Sequence, residues 1–222
     1  MRDLHNALKL RELYILKGLG YRYTDMEISE IEPEVCELPE SMEALREMVQ
    51  ECHLCELSKT RRKVVFGEGD TNASVMFVGE GPGAMEDSTG RPFVGRSGEL
   101  LTKMIENVLH IPRRSVYIAN IVKCRPPLNR VPTTSEAIVC RPYLMKQIDI
   151  VSPSLIVTLG ATAYRYLTDD ETPVGKVRGN IIRHRGMTIL PTYHPSYLLR
   201  NPSAKREAYS DLLKVAEFLS NS

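Results

Sequence analysis

Apolar residues along this chain fall into short continuous runs, separated by longer stretches whose apolar positions recur at helical spacing. Four runs read as strands buried on both faces: 74–78 (Ser-Val-Met-Phe-Val), 116–122, 155–159 and 187–193. A shorter run, Lys63 to Phe66, is a further strand candidate. Between the runs the spacing predicts helices over 97–109, 135–150 and 161–168, and a closing helix over 204–220. Leu100, Leu101, Met104, Ile105 and Val108 give the first of these its apolar side. Strands alternating with helices of this length predict a three-layer α/β/α sandwich around a central, mostly parallel four-stranded sheet. Residues 174–186 break the alternation and read as a hairpin into the last strand.

Upstream the pattern changes. Leu4, Leu8, Ile15 and Leu19 predict a short amphipathic helix over 3–19, and the acidic residues 20–41, with Pro33 and Pro39, read as a linker. Ser41, followed by Glu43 and Ala44, can start a helix running to about Glu51. These signals divide the chain into a helical N-terminal extension over 1–40 and an α/β domain over 41–222.

Composition narrows the class. At 42% hydrophobic and 26% charged, the 222 residues resemble an ordinary soluble globule. No apolar run approaches the length of a membrane span, and Lys9, Arg11, Glu12 and Lys17 interrupt any signal-peptide core, so a cytoplasmic protein without a membrane partner is expected. Net charge is only +1, but it is unevenly spread: Asp25 to Glu56 holds eleven acids and one arginine, whereas Lys176 to Arg206 holds seven basic residues and no acid. Such asymmetry points to an anionic partner at the basic end, against the commoner reading of a solvated face. Five cysteines in a cytosolic setting argue for metal rather than disulfides. Cys52 and Cys55 form a chelate pair; with Cys124 and Cys140 they could hold zinc or an iron–sulfur cluster, and spacing alone does not choose. Cys36 is left over.

The densest information lies where the 74–78 strand empties at Gly79 into a loop with further glycines at 81, 83, 90 and 95, ahead of a helix beginning near Ser97. A nucleotide phosphate loop has this outline, but no Gly-Lys-Ser/Thr follows, and Phe93 has no place in one. Ligands of a parallel sheet sit at the carboxyl ends of its strands. Those ends are Gly79–Gly83, Asn120, Gly160 and His194, so a glycine loop, an amide and an imidazole converge on a planar polar ligand.

The pieces Gly-Glu-Gly-Pro-Gly with Glu86-Asp87, Gly-Arg-Pro-Phe-Val-Gly, Asn-Ile-Val-Lys-Cys-Arg-Pro-Pro, the cysteine pair with the later Cys140, and His-Pro-Ser from His194 are found together here. This set resembles the family-4 (iron–sulfur) uracil-DNA glycosylases, over residues from about 42 to the C-terminus. The resemblance implies hydrolysis of the N-glycosidic bond of uracil in single- or double-stranded DNA, by a monomer, releasing uracil for base-excision repair. It implies a [4Fe–4S] cluster on Cys52, Cys55, Cys124 and Cys140. It also implies a uracil pocket of Gly79, Glu80, Gly81, Phe93, Asn120 and His194, with Glu86 where thymine's methyl would clash.

Each role has a physical content. The Asn120 amide offers an acceptor beside a donor, matching uracil N3–H and O4, whereas cytosine reverses both. Phe93, otherwise a loop anchor, would stack on an extruded base. His194 and backbone N–H groups of the loop would stabilise charge on the leaving O2, and Glu80, the nearest carboxylate, would position or activate water. Ser196, Arg200 and Arg206 would contact phosphates, while the apolar tip Tyr197-Leu198-Leu199 would wedge into the duplex. A relative that traps uracil-DNA through a histidine would need an insertion between Gly95 and Glu99, where only Arg96, Ser97 and Gly98 stand. A silent nucleic-acid-binding module would have no use for Phe93, Asn120 and His194 together.

Overall fold

The computed structural model describes residues 38–221; the helix expected over 3–19, nearly all of the acidic linker, and Cys36 lie outside them. The first described helix, α1 (Met42–Gln50), starts where Ser41 Oγ accepts from the Ala44 amide at 3.1 Å, and it buries Met42, Leu45 and Val49. Strand β1 (Glu68–Gly69) precedes β2 (Val75–Gly79), every residue of which is buried. Helices α2 (Ala84–Thr89) and α3 (Arg96–Met104) lead to β3 (Tyr117–Asn120). The long α4 (Thr134–Val151) opens on a capping box, in which Thr133 and Glu136 satisfy each other's backbone amides. Then follow β4 (Leu155–Leu159), α5 (Ala161–Thr168), α6 (Val174–Val177), the hairpin β5 (Ile182–His184) and β6 (Met187–Thr192), α7 (Pro195–Arg200) and α8 (Lys205–Ser220).

The sheet is larger than the expected four strands. Its order is β1-β3-β2-β4-β6-β5, with the four inner strands parallel and both edge strands antiparallel. Two apolar layers flank it. One packs Leu45 of α1, Leu144 and Ile148 of α4 and Leu167 of α5 against Met76 and Ile156. The other packs Leu101 and Met104 of α3 and Leu212 and Val215 of α8 against Phe77 and Val157. These layers make the three-layer sandwich.

Local departures have local causes. Lys63 to Phe66 is not a strand, although the Val65 amide donates to Lys123 O at 2.8 Å; the edge strand is the glycine-containing pair just beyond it. The helix expected over 97–109 is α-helical only to Met104, after which Ile105–Leu109 widens into a π turn closed by His110 at φ 56°. Helix α2 was not expected, because its six residues sit among glycines; Gly90 at φ 79° ends it. Residues 174–186 contain the short α6 before the hairpin, whose tip, Arg185-Gly186, takes positive φ at both residues (49° and 81°), as a two-residue hairpin turn requires.

Candidate active site

The carboxyl ends of β2, β3 and β6 and the segments that follow them enclose a cleft of about 310 Å³, lined by Glu80 to Gly83, Glu86, Phe93, Ser97, Asn120, Pro126, Asn129, Arg130, His194, Ser196 and Arg200. The strand-end rule therefore located it. Asn120 is 1% exposed, and its Oδ1 has no hydrogen-bond partner. A buried carbonyl oxygen left unpaired costs about 1–3 kcal/mol, so the fold retains it at a loss. Its backbone is pinned by Lys123, whose buried ammonium donates to Asn120 O at 2.9 Å and to Gln147 Oε1 at 2.5 Å. Burial pulls the Lys123 ammonium down to about 8. Gly79 is required beside the amide: a Cβ there would stand 2.5 Å from Asn120 Oδ1 and 2.5 Å from Phe93 Cζ.

Phe93 lies in the loop between α2 and α3 with φ 51°, a left-handed conformation costly for an aromatic. It is largely buried, and its ring centroid lies 5.6 Å from that of His194, tilted by 36°. Phe93 thus serves as both anchor and wall. The loop is held from two sides. Glu86 Oε1 accepts from the Val94 and Gly95 amides at 3.1 and 3.2 Å. Arg113 donates to Pro92 O at 2.8 Å while paired with Glu68. At Gly98 a Cβ would collide with the Phe93 carbonyl. Glu86 therefore shapes the loop as well as facing the cleft. Glu80 Oε2 accepts from Thr162 Oγ1 at 2.5 Å, which aims that carboxylate from the first turn of α5.

His194 caps α7. Its Nδ1 accepts from the Ser196 amide at 3.1 Å and lies 2.7 Å from Ser196 Oγ. An Nδ1 that accepts a backbone proton carries none itself, so the neutral ring holds its proton on Nε2, as a donor. Burial pushes the imidazole down to about 4, helped by the positive charge of Arg200 and opposed by Glu86. The ring is neutral at pH 7.

Of the expected DNA contacts, Ser196 and Arg200 line the cleft, and Tyr197 is 39% exposed, stacked on Tyr193 at 4.9 Å between centroids. Leu198 is a correction. It is 2% exposed, packed in the core with Leu101, and so is not available as a wedge. Arg206 is exposed at the start of α8 and takes no part in lining the cleft. The basic stretch is also less free than its charge implied: Arg178 pairs with the buried Asp211 at 2.6 Å, and Arg185 with Asp169 at 3.2 Å.

Cys52, Cys55, Cys124 and Cys140 line a single cavity with Arg61 and Lys123, and none forms a disulfide. Arg61 Nη1 donates to Cys124 Sγ and the Lys123 amide to Cys140 Sγ, both at 3.3 Å. Burial pushes the Cys140 thiol up to about 12 and raises Cys55 and Cys124. Among the described residues no three His, Cys, Asp or Glu side chains are grouped to hold a single metal ion. Four thiols in one apolar cavity, two of them already receiving N–H donors, fit a multi-thiolate group whose positive charge would displace their protons.

Sequence reasoning missed Thr162, Ser97 and Asn129. Thr162 was within reach, since it follows Gly160 at the end of β4; the others depend on loop conformation.

The family model for the uracil DNA glycosylase superfamily matches residues 66–214. The chain is similar to the type-4 uracil-DNA glycosylase of Thermotoga maritima, with 48% identity over 81% of this chain and 95% of the relative. It is also similar to those of Sulfurisphaera tokodaii (42% identity, 80% and 84%) and Saccharolobus solfataricus (41%, 82% and 88%).

Proposed function

The chain belongs to the uracil-DNA glycosylase superfamily, among its type-4 members, and on that premise we propose that it hydrolyses the bond between uracil and deoxyribose in DNA, leaving an abasic site for base-excision repair. The observation that carries this reading is the buried, unpaired Oδ1 of Asn120 at the cleft floor. Uracil N3–H supplies the donor that this oxygen lacks, and the amide N–H₂ meets O4. Cytosine presents an acceptor at N3 and a donor at N4, and leaves both unmatched.

The chemistry follows from the walls. The nucleotide leaves the stack and enters the cleft, at a cost of a few kcal/mol that is least for a mispaired base. As the C1′–N1 bond breaks, its electron pair passes to the base, and negative charge collects on O2. The neutral His194 donates Nε2–H to that oxygen without first losing a proton. A preorganised donor of this kind typically contributes about 10²–10³ in rate. Water adds to C1′ as the sugar becomes oxocarbenium-like. Glu80, aimed by Thr162, orients that water and takes its proton as the new C–O bond forms. Phe93 and the Gly79 backbone hold the ring plane, and Glu86 faces the cleft where a 5-methyl group would need room.

Cys52, Cys55, Cys124 and Cys140 would hold a [4Fe–4S] cluster, which supplies a cross-link between the chain after α1, the loop after β3 and α4. The hydrolysis needs no electrons. Single- and double-stranded DNA are the proposed substrates, with Arg200 and Ser196 on phosphates. The protein is proposed to act as a monomer in the cytoplasm, in keeping with its free thiols; no described helix is long and apolar enough to cross a membrane. Incubation with single-stranded and U·G oligonucleotides tests the reading. Free uracil supports it, a covalent adduct favours a trapping relative, and neither product leaves only a binding module.

A further inference from the structure

Beyond the uracil pocket, the loop between β3 and α4 presents a side chain that nothing in the fold uses. Leu128 is 96% exposed and sits at φ 56°, with Asn129 after it at φ 55°. Two successive left-handed residues that are not glycine are strained, and strain of this kind persists only where its surroundings enforce it. Here they do. Pro126 and Pro127 precede the turn, the Asn129 amide donates to Pro126 O at 3.0 Å, and Arg125 Nε donates to Asn129 Oδ1 at 2.8 Å. Arg130 grips Glu136 with two bonds of 2.7 and 2.8 Å, and Glu136 closes the cap of α4. The loop is built rigid, and its apex is an apolar side chain in water. Val131, 59% exposed, extends the apolar surface.

The position of the loop identifies its occupant. Pro126, Asn129 and Arg130 form part of the wall of the uracil cleft, to which α7 contributes Ser196 and Arg200. Any DNA that delivers a nucleotide to Asn120 passes this rim. Of the wedge expected on α7, Leu198 is buried in the core while Tyr197 stays exposed, so α7 offers the neighbours of an extruded nucleotide an aromatic face, and the loop after β3 offers them an aliphatic one. Resting on the reading of the chain as a uracil-DNA glycosylase, we infer that Leu128 is a duplex-probing side chain that packs against the bases flanking the extruded uracil. An apolar side chain inserted at an unstacked step replaces contacts that the departing base gave up. Single-stranded DNA has no closed stack to hold open, so Leu128 serves duplex substrates selectively.

Single-turnover excision from one uracil-containing sequence, as a U·A duplex and as a single strand, tests this with wild type, Leu128→Ala, Leu128→Gly and Leu128→Phe. Leu128→Ala and Leu128→Gly should lower the duplex rate by about ten- to hundredfold, the equilibrium factor that burying one leucine supplies. Both should leave the single-strand rate close to wild type, and Leu128→Phe should restore much of the duplex rate. Leu128→Gly should also melt no lower than wild type, since glycine accepts the left-handed turn without strain. A 2-aminopurine placed beside the uracil should brighten on binding to wild type and less with Leu128→Ala. A duplex rate unchanged in both truncations, or a single-strand rate that falls as far as the duplex rate, overturns the inference. Wild type that releases no uracil from either substrate overturns the parent reading and this one with it; active wild type with unaffected variants overturns this one alone.

Discussion

Replacing Asn120 by alanine separates recognition from stability in a way few buried substitutions do. A buried asparagine normally loses satisfied hydrogen bonds on truncation and destabilises the fold. Here Oδ1 is unpaired in the free protein, so its removal relieves a desolvation cost of about 1–3 kcal/mol. That relief offsets the loss of packing against Phe93 and Gly79, where the gap opens into the cleft. The melting temperature of Asn120→Ala should therefore lie within a few degrees of wild type, about what 1 kcal/mol moves a domain of this size. Excision should behave oppositely. Two hydrogen bonds to the base disappear from a water-poor site, and uracil release should fall by roughly 10²-fold or more. Asn120→Asp turns the donor into a second acceptor that repels O4 and can accept from cytosine N4–H, so residual activity should tilt toward cytosine. The assay is single-turnover excision from U·G and C·G duplexes, paired with calorimetric melting of all three proteins. Near-wild-type uracil release by Asn120→Ala would show that the amide is not the base reader. A large drop in melting temperature would show that it was a satisfied core group.

Three further outcomes follow from the same structure. Because His194 is held down to about 4 against an ordinary 6.5, the unfolded chain takes up its proton first as pH falls, so this group's contribution to stability declines from about pH 6.5 to 4 and then levels off; His194→Gln should flatten that limb of a melting-temperature profile, and excision by wild type should persist through pH 6.5. Arg200→Gln should reduce the salt slope of DNA binding by roughly one unit without altering base preference, whereas Arg178→Gln should leave the slope alone and destabilise the fold by about 3–5 kcal/mol, having stranded the buried Asp211; equal slopes for wild type and Arg200→Gln would remove Arg200 from the interface. The purified protein should carry about four irons per chain with acid-labile sulfide, Cys124→Ser should lower both, and Cys36→Ser should change neither; stoichiometric zinc without sulfide would rule the cluster out.

The inner strands and long helices were legible because burial on both faces and 3.6-residue spacing leave unambiguous marks. Helix α5 lies where the pattern placed it, and α4 where Thr133 and Glu136 announce a cap. The edge strands differed: β5 falls in the hairpin expected over 174–186, whereas the two residues of β1, Glu68–Gly69, carry no alternation and left no local mark. The strand-end rule brought Asn120, the glycine loop and His194 together from sequence, since it depends on topology rather than on loop shape. Leu198 failed because an exposed-looking apolar triplet on a short helix must turn one member inward, and sequence does not say which. The left-handed turns at Phe93 and Leu128 were equally hidden: the first is held by Glu86 and Arg113 from outside the loop, and the second by hydrogen bonds from Asn129 to Pro126 and from Arg125 to Asn129 that residue types alone do not announce.

The reading of the cleft is tested most directly by a crystal structure of the protein soaked with free uracil. The account predicts the base beside Phe93, with N3–H within hydrogen-bond reach of Asn120 Oδ1, O4 on the amide nitrogen and O2 facing His194 Nε2. Uracil bound with N3–H turned away from Asn120, or bound outside the cleft, would contradict it.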